Sequence, residues 1–372
     1  MRPLCTISCR KIALGVMLTA CVAAGPAGGV EYPLVPVGNG GNANDTTGFG
    51  AVTNPFWIGK YEVTIGQYAE FLNAVAATDT YTLYNANMGS DARTSGIVRS
   101  GSPGGYAYAV TGPSGTTPVG ADSPGNRPVT FVSWFDAARF TNWMANGQPI
   151  GAQDPTTTET GAYALNGATS GTGPARSAIN PNTGTAPTFF IPTENQWYKA
   201  AYYSPLLNSG AGGYYDYATQ NNANPGNVIG SGTNQANYRP LGLYAVTSST
   251  STSPGQNYLT NVGAFTASPS YYGTFDQCGN VGEWNDFTGA ANSSRGRRGG
   301  SFSNTLSPNA LSATYRDGHE TSYSDQVTGF RLVSAVPEPG LSATAAGVVL
   351  ACWVVLRRSR LGLARRSLRR VA

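Results

Sequence analysis

The feature that most constrains the fold is a C-terminal stretch, Phe275 to Val333, in which glycines stand beside aromatic residues and carboxylates. It contains the segments FDQCGNVGEWNDF, RRGGSF and GFRLV. Glycine adopts backbone conformations that other residues avoid, and it weakens regular helices and strands. The stretch therefore predicts irregular backbone wrapped around a cation or a ligand, and we expect the rest of the chain to hold it in shape.

Composition limits the class of protein. Glycine and proline account for 48 and 24 of the 372 residues, whereas aromatic residues remain at 11%. Disordered chains have few aromatics and collagen has a strict glycine period, so neither class fits. The many Tyr, Phe and Trp side chains are sufficient to bury a sizeable core. We therefore expect one large, loop-rich globular domain.

Local patterns predict three short helices, each preceded by a hydroxyl residue that can cap it. The three capping residues are Thr64, Ser133 and Thr193. The predicted strands are Phe56–Val63, a short one around Tyr106–Val110, and Arg127–Val132. The Thr/Gly-rich segment 147–188 is interpreted as a surface excursion. These patterns predict an α+β fold with small sheets and low regular secondary structure.

The net charge of +4 comes from the two ends of the chain. Residues 28–335 carry 13 Lys and Arg against 18 Asp and Glu, because ten basic residues lie near the termini. Nucleic-acid binding requires a basic face, so a nucleic-acid partner is excluded. Four of the five cysteines also lie near the termini, which leaves Cys278 alone in the body and without an intrachain disulfide partner.

Residues 1–27 have the pattern of a secretory signal peptide. Arg10 and Lys11 precede the apolar run Ile12–Ala24, and small residues follow. A run of this length is too short to span a bilayer. Leu18–Cys21 also resembles a bacterial lipobox, in which Cys21 would be lipidated. Either pattern predicts an exported protein.

The C-terminus has three consecutive parts. A Pro-Glu-Pro triplet at 337–339 is followed by the apolar segment 341–356 and then by an arginine cluster. This order resembles the PEP-CTERM sorting signal of exported bacterial proteins, which implies recognition by an exosortase. The alternative is a simple tail anchor. Residues 336–372 are therefore expected to contact the membrane before processing and to direct the body to the cell envelope or exterior.

The body resembles the sulfatase-modifying factor family, which includes the formylglycine-generating enzymes. The motifs IGKYEVTIGQYAEFLNAV, RPVTFVSWFDAARFTNWM, PTENQWYKAA, GNVGEW, RGGSF and GFRLV occur in the family's order over residues 50–335. Residues 28–49 form an extended segment ahead of them. The resemblance implies the formylglycine-generating-enzyme-like variant of the C-type-lectin fold, with little regular secondary structure.

The family's oxidases carry a pair of cysteines shortly before the GFR segment. Here the equivalent positions are Pro308 and Ala313, so both thiols are absent. Thiolates are the soft ligands for copper(I) and the redox groups of that chemistry, so copper and formylglycine-generating activity are not expected. The related sulfoxide synthases need several histidines, whereas this chain has only His319.

The resemblance also implies a calcium site. In the family, positions equivalent to Asp276, Gly279, Val281 and Glu283 supply two side-chain oxygens and two carbonyls, the ligand mixture that calcium prefers. The alternative is two solvated acids in a turn. Asn237-Tyr238 resembles the start of a second calcium site, whose remaining ligands have no alignable counterpart.

Four further features have both a structural and a functional interpretation. Trp284-Asn285-Asp286 resembles the WND triplet of C-type lectins, or is a core Trp followed by a turn. Arg316 and His319 lie in a polar loop that can contact a ligand or remain a solvated surface. Cys278 is a reactive thiol or a small buried hydrophobe, and the second interpretation is favoured. Arg331 has a structural interpretation only and is expected to pair with a buried carboxylate.

Together these features predict an exported, calcium-stabilised module that binds a protein or carbohydrate ligand through its C-terminal loops. Two other functions stay open. One is an oxidoreductase of the formylglycine-generating or nonheme-iron type that acts on a sulfur-containing substrate. The other is a structural component of an extracellular matrix.

Overall fold

A computed structural model describes residues 29–112, 123–304 and 308–334. The predicted signal peptide, Cys21 and the sorting signal with its segment 341–356 lie outside the described residues. The helices are α1 Ile65–Val75, α2 Asn87–Ser90, α3 Trp134–Ala145, α4 Glu194–Tyr202 and α5 Leu207–Gly210. The strands are β1 Leu34–Val37, β2 Phe56–Gly59, β3 Ile97–Ser100, β4 Ala107–Val110, β5 Tyr203–Ser204, β6 Gly213–Tyr214, β7 Gly282–Asn285, β8 Ser294–Arg298, β9 Asp317–Glu320, β10 Thr328–Gly329 and β11 Val333–Ser334.

The three predicted helices are α1, α3 and α4, and each has the predicted cap. The side chains of Thr64, Ser133 and Thr193 accept the backbone N–H three residues later, and the side chain at that position bonds back to the cap. This reciprocal arrangement satisfies two of the helix N–H groups that have no partner within the helix. Among the described helices, none is long and apolar enough to cross a bilayer.

Four small sheets complete the fold. β1 and β11 both pair with β2 in antiparallel fashion, which joins the first and last described strands of the body. A second sheet has the order β10-β7-β8-β9, in which only β10 with β7 is parallel. The hairpins β3-β4 and β5-β6 are separate. The α+β prediction with small sheets and much loop is confirmed.

Two local predictions are wrong. The expected strand Arg127–Val132 is irregular, because Phe131 adopts a left-handed backbone with φ of 60°. The segment 147–188 is not merely a surface excursion, since Tyr163 and Leu165 are buried in the main core beside α1 and α3. Glu159 from the same segment forms a buried ion pair with Arg139 of α3 at 2.7 Å.

Asp136 gives stability a pH dependence that can be measured. Burial raises the pKa of its carboxyl to about 6, although hydrogen bonds from Ser133 act in the opposite direction. Between about pH 4 and 6 the folded protein therefore keeps a proton that the unfolded chain has released, so stability falls as pH rises through that window. At pH 7 this loss of stability is on the order of 2–3 kcal/mol in the wild type, and we expect Asp136→Asn to remove it.

Urea unfolding of both proteins at pH 4 and pH 7 checks this, because the benefit of Asp136→Asn is expected at pH 7 alone. Asp154→Asn is the matched control. Hydrogen bonds from Thr156 lower the pKa of Asp154, so its contribution is present above the unfolded pKa and is lost as pH falls. An equal effect of Asp136→Asn at both pH values would contradict the expectation.

Candidate functional site

The GNVGEW motif leads into β7, where Glu283 is completely buried. Its two carboxylate oxygens accept hydrogen bonds from the Arg331 guanidinium, Nε at 2.5 Å and Nη2 at 2.6 Å. Trp197 Nε1 donates a third at 2.8 Å. The remaining Arg331 donors reach backbone carbonyls of Gly59 and Phe275. The predicted pairing of Arg331 with a buried carboxylate is therefore confirmed.

Two more carboxylates accompany this pair. Asp276 accepts the Gly263 N–H at 2.6 Å, and Glu62 lies with its Oε2 atom 3.9 Å from Arg331 Nη2. Oε2 of Glu62 is buried and has no hydrogen-bond donor. Burial raises the pKa of Asp276 to about 6, and burial together with the Asp276 charge raises the pKa of Glu62. One buried guanidinium thus lies near two buried carboxylates, Glu62 and Glu283, and the partly buried Asp276.

The other predicted calcium ligands are Gly279 and Val281 in the same motif and Asn237-Tyr238, where the backbone of Asn237 forms an isolated bridge with Gly279. Gly279 has φ of 90°, and a Cβ there would come within 2.4 Å of the Asn237 carbonyl oxygen. The Asn237 side chain donates to Asn280 Oδ1 at 3.0 Å. Tyr238 is buried and donates its hydroxyl to the carbonyl of Pro225. Val281 is also buried.

The cluster fits a cation in charge and in donor chemistry, because Glu62 Oε2 accepts no hydrogen bond and three carboxylates share the single guanidinium of Arg331. These side chains do not form a complete ligand shell for a metal ion. Within the described ranges, no group of three or more His, Cys, Asp or Glu side chains is arranged to hold a metal ion. Sequence reasoning missed Glu62, whose only signal is its place in the motif KYEVT, far from the glycine-rich stretch.

Trp284, Asn285 and Asp286 are all fully or almost fully buried. Trp284 Nε1 donates to the Val132 carbonyl at 3.0 Å. Asp286 accepts from Trp134 Nε1 at 2.8 Å and is flanked by Arg176 and Arg295 at 3.2 and 3.4 Å. An external ligand has no access to these three side chains, so contact with a ligand in this region is left to Arg316 and His319.

The loop Pro308–Arg316, where the resemblance predicts the positions of the oxidase cysteines, begins with a short 3-10 turn, Pro308–Leu311. Ala313 and Leu311 are buried in one apolar cluster with Cys278. Cys278 is distant from this loop in the sequence, so the sequence alone did not predict that the two pack together. Burial raises the pKa of the Cys278 thiol strongly, so the side chain behaves as a neutral hydrophobe, as expected.

Two arginines anchor the end of this loop to Glu194 of α4. Arg298 donates to Glu194 at 2.9 Å and to the carbonyls of Ala313 and Tyr315, while Arg316 approaches the same carboxylate at 2.8 Å. Arg298 is buried, whereas the Arg316 side chain is 47% exposed. A small cavity of about 60 Å³ adjoins Arg298 and Tyr315. These bonds fix the end of the loop and hold the partly exposed Arg316 side chain in a defined position.

His319 lies on the neighbouring strand β9. Its Nε2 is 3.1 Å from Asp317 Oδ2, and its ring stacks on Tyr323 with centroids 4.0 Å apart. The side chain is partly exposed. The structure thus places Arg316 at the end of this loop and His319 on β9, and both side chains reach the surface.

A family model described as "Sulfatase-modifying factor enzyme 1-like domain" matches residues 35–336. No curated protein matches this sequence. Three solved structures are similar to it. CarF is 19% identical with a TM-score of 0.40, and the match covers 82% of this chain and 99% of CarF. Treponema denticola variable protein 1 is 18% identical with a TM-score of 0.43, over 82% of this chain and 96% of that protein. PvdO from Pseudomonas aeruginosa is 14% identical with a TM-score of 0.37, over 82% of this chain and 92% of that protein. The TM-scores are too low to support any further argument. The family model spans most of the chain, and the protein therefore belongs to the sulfatase-modifying factor enzyme 1-like domain family.

Proposed function

We propose that this chain is an exported, envelope-sorted binding module of the family, without the family's thiol-dependent oxidase activity. The observation that supports this most strongly is the loop Pro308–Arg316. Its two positions equivalent to the oxidase cysteines are Pro308 and Ala313, and the one cysteine in the described residues is buried behind it. Oxidase chemistry of the family type needs accessible thiolates, whereas burial keeps Cys278 protonated.

The binding role is supported by what this loop presents to solvent. Arg316 is held by Glu194, and its guanidinium lies 4.6 Å from the centre of the Phe287 ring. Tyr315 is 39% exposed beside it. Partly exposed arginine and aromatic groups on a rigid frame are common in recognition surfaces for proteins and for carbohydrates. We assign the ligand contact to Arg316, Tyr315 and His319.

Calcium is the proposed structural cofactor. Asp276, Glu283 and the carbonyls of Gly279 and Val281 would hold it, and Glu62 is the additional carboxylate that the fold brings to the same place. A bound cation would supply the positive charge that Arg331 alone does not provide. This proposal rests on the charge imbalance and on the unpartnered Glu62 oxygen.

Export and sorting are proposed from the two ends of the sequence, with exosortase-type machinery as the partner. Arg10-Lys11 with its apolar run supports export, and Pro337–Pro339 with the segment 341–356 supports sorting. Fractionation of cells that produce the full chain tests this, because recovery of the mature protein in the cytoplasm would contradict it.

An oxidase assay tests the central proposal. The full chain is incubated with copper(I) and a cysteine-containing peptide, and oxygen consumption and the mass of the peptide are followed. We expect neither turnover nor stoichiometric copper uptake. Turnover would overturn the binding-module assignment, and its loss in Cys278→Ala would assign the activity to that thiol. Cys278→Ala also serves as a folding control, since alanine fits a small buried site.

A further inference from the structure

An open cleft of about 640 Å³ lies outside the site described above. It is bounded by the loop Asn39–Thr46 on one side and by α5 and the hairpin β5-β6 on the other. Its volume is within the range of about 300–1,000 Å³ that is usual for small-molecule sites. None of the residues that line it belongs to the calcium cluster or to the loop Pro308–Arg316.

The wall formed by this loop is held in shape by its own side chains. Asn42 Nδ2 donates to the Gly50 carbonyl at 2.7 Å and to the Tyr214 hydroxyl at 2.6 Å. Tyr214 in turn donates to the Ala43 carbonyl at 2.7 Å, which ties the loop to β6. Buried Lys199 donates to the Asn39 carbonyl at 2.8 Å from beneath. The cleft is therefore largely preformed, which lowers the entropic cost of binding.

The cleft is lined by a single charged side chain and is otherwise neutral. Asp45 is the only acidic or basic side chain that lines it. Its Oδ1 accepts the Thr46 N–H at 2.7 Å, and its Oδ2 accepts hydrogen bonds from the hydroxyls of Thr47 and Tyr198. Both oxygens are thus engaged within the protein, and no cationic side chain lines the cleft. An anionic ligand would lose its hydration without gaining a cationic partner, so this lining favours a neutral ligand over an anionic one.

The groups that remain available to a ligand in the cleft are neutral hydrogen-bonding atoms, and they lie beside aromatic rings. Within the described part of the chain, Asn39 Nδ2, Asn44 Nδ2 and Asn208 Oδ1 have no partner, although the other amide atom of each residue is bonded. Amide groups of this kind can pair with hydroxyls, which both donate and accept. Tyr203 and Tyr214, packed edge to face at 5.1 Å, add aromatic surface to the same cleft.

We propose that this cleft binds a neutral, hydroxyl-rich glycan segment. A pyranose ring carries hydroxyls that match the free amide groups and a C–H face that packs against an aromatic ring. This proposal rests on the binding-module function but uses a second surface, distinct from Arg316 and His319. The two can fail separately, because the oxidase assay above does not involve the cleft.

The test is a titration of the full chain with cellotetraose, maltotetraose and chitotetraose, followed by NMR or calorimetry, with tetragalacturonate as the anionic comparison. Ala211→Trp fills the cleft from an exposed position, and Ala186→Trp is its matched control at an exposed site elsewhere. We expect at least one neutral tetrasaccharide to bind, Ala211→Trp to abolish binding, and Ala186→Trp to have no effect.

Asn44→Ala removes a free donor, together with the acceptor of the Ala51 N–H, and is expected to weaken binding about three- to tenfold. Three results would overturn the proposal. They are no binding of any neutral tetrasaccharide up to millimolar concentration, equal binding by the two tryptophan variants, and tighter binding of the tetragalacturonate. Circular dichroism of each variant separates a loss of the cleft from a loss of the fold.

Discussion

Replacing Arg331 by methionine is expected to destabilise the protein by about 3–5 kcal/mol, which is a large share of the stability of a typical domain. Arg331 and Glu283 are both 0% exposed, and the guanidinium is the one cation beside Glu62, Asp276 and Glu283. Without it, the buried carboxylates of Glu62 and Glu283 and the partly buried Asp276 would lose their cation, and two backbone carbonyls would lose their donors. Urea unfolding of the wild-type and variant proteins measures the difference.

Arg316→Met is the matched control for this variant. Arg316 also pairs with a glutamate, but its side chain is 47% exposed, and Glu194 keeps its second partner, Arg298. The cost is therefore expected to be about 0–1 kcal/mol. If Arg331→Met proved no more destabilising than Arg316→Met, the buried pair would not have the structural importance assigned to it here.

Calcium is expected to reverse the order of stability of the wild type and Glu62→Gln. In a chelator, the variant should be more stable than the wild type, because a carboxylate without a hydrogen bond to Oε2, near two other carboxylates, is replaced by a neutral amide. In calcium, the wild type should gain about 2.7 kcal/mol at a hundredfold excess over the dissociation constant, whereas the variant should gain far less. Thermal unfolding with and without calcium measures all four values.

Two further variants sharpen this test. Asp276→Asn should behave like Glu62→Gln, since its carboxylate belongs to the same buried cluster. Glu320→Gln, exposed on β9, should keep the full response to calcium. An unfolding temperature that calcium leaves unchanged in the wild type would remove the proposed site, and Arg331→Met would still test the ion pair independently.

Some of the fold could be predicted from the sequence, and those parts are local. The caps of α1, α3 and α4 depend on residues three positions apart, so the chemistry of Thr64, Ser133 and Thr193 is visible in a short window. The motif series indicated the family in the same way, since its members are short and occur in order. The sequence predicted that the partner of Arg331 is a carboxylate, but it did not predict which residue supplies that carboxylate.

The remaining features depend on contacts between distant parts of the chain. Phe131 was expected in a strand, but packing holds it in a left-handed conformation that β-propensity does not anticipate. Glu62 joins Asp276 and Glu283 although more than two hundred residues separate them in sequence. The WND triplet has the composition of a ligand site, yet Trp134, Arg176 and Arg295 enclose Asp286 completely.

The sequence by itself determined the family, the capped helices, the lack of cysteine at positions 308 and 313, and the chemistry available in the glycine-rich stretch Phe275–Val333. Only the tertiary structure decided which of these groups meet and which reach solvent. In that stretch Glu283 lies inside, paired with Arg331, while Arg316 and His319 reach the surface. The physical reason is that burial and charge pairing are set by long-range packing, such as the bond from Arg331 to the carbonyl of Gly59, 272 residues away.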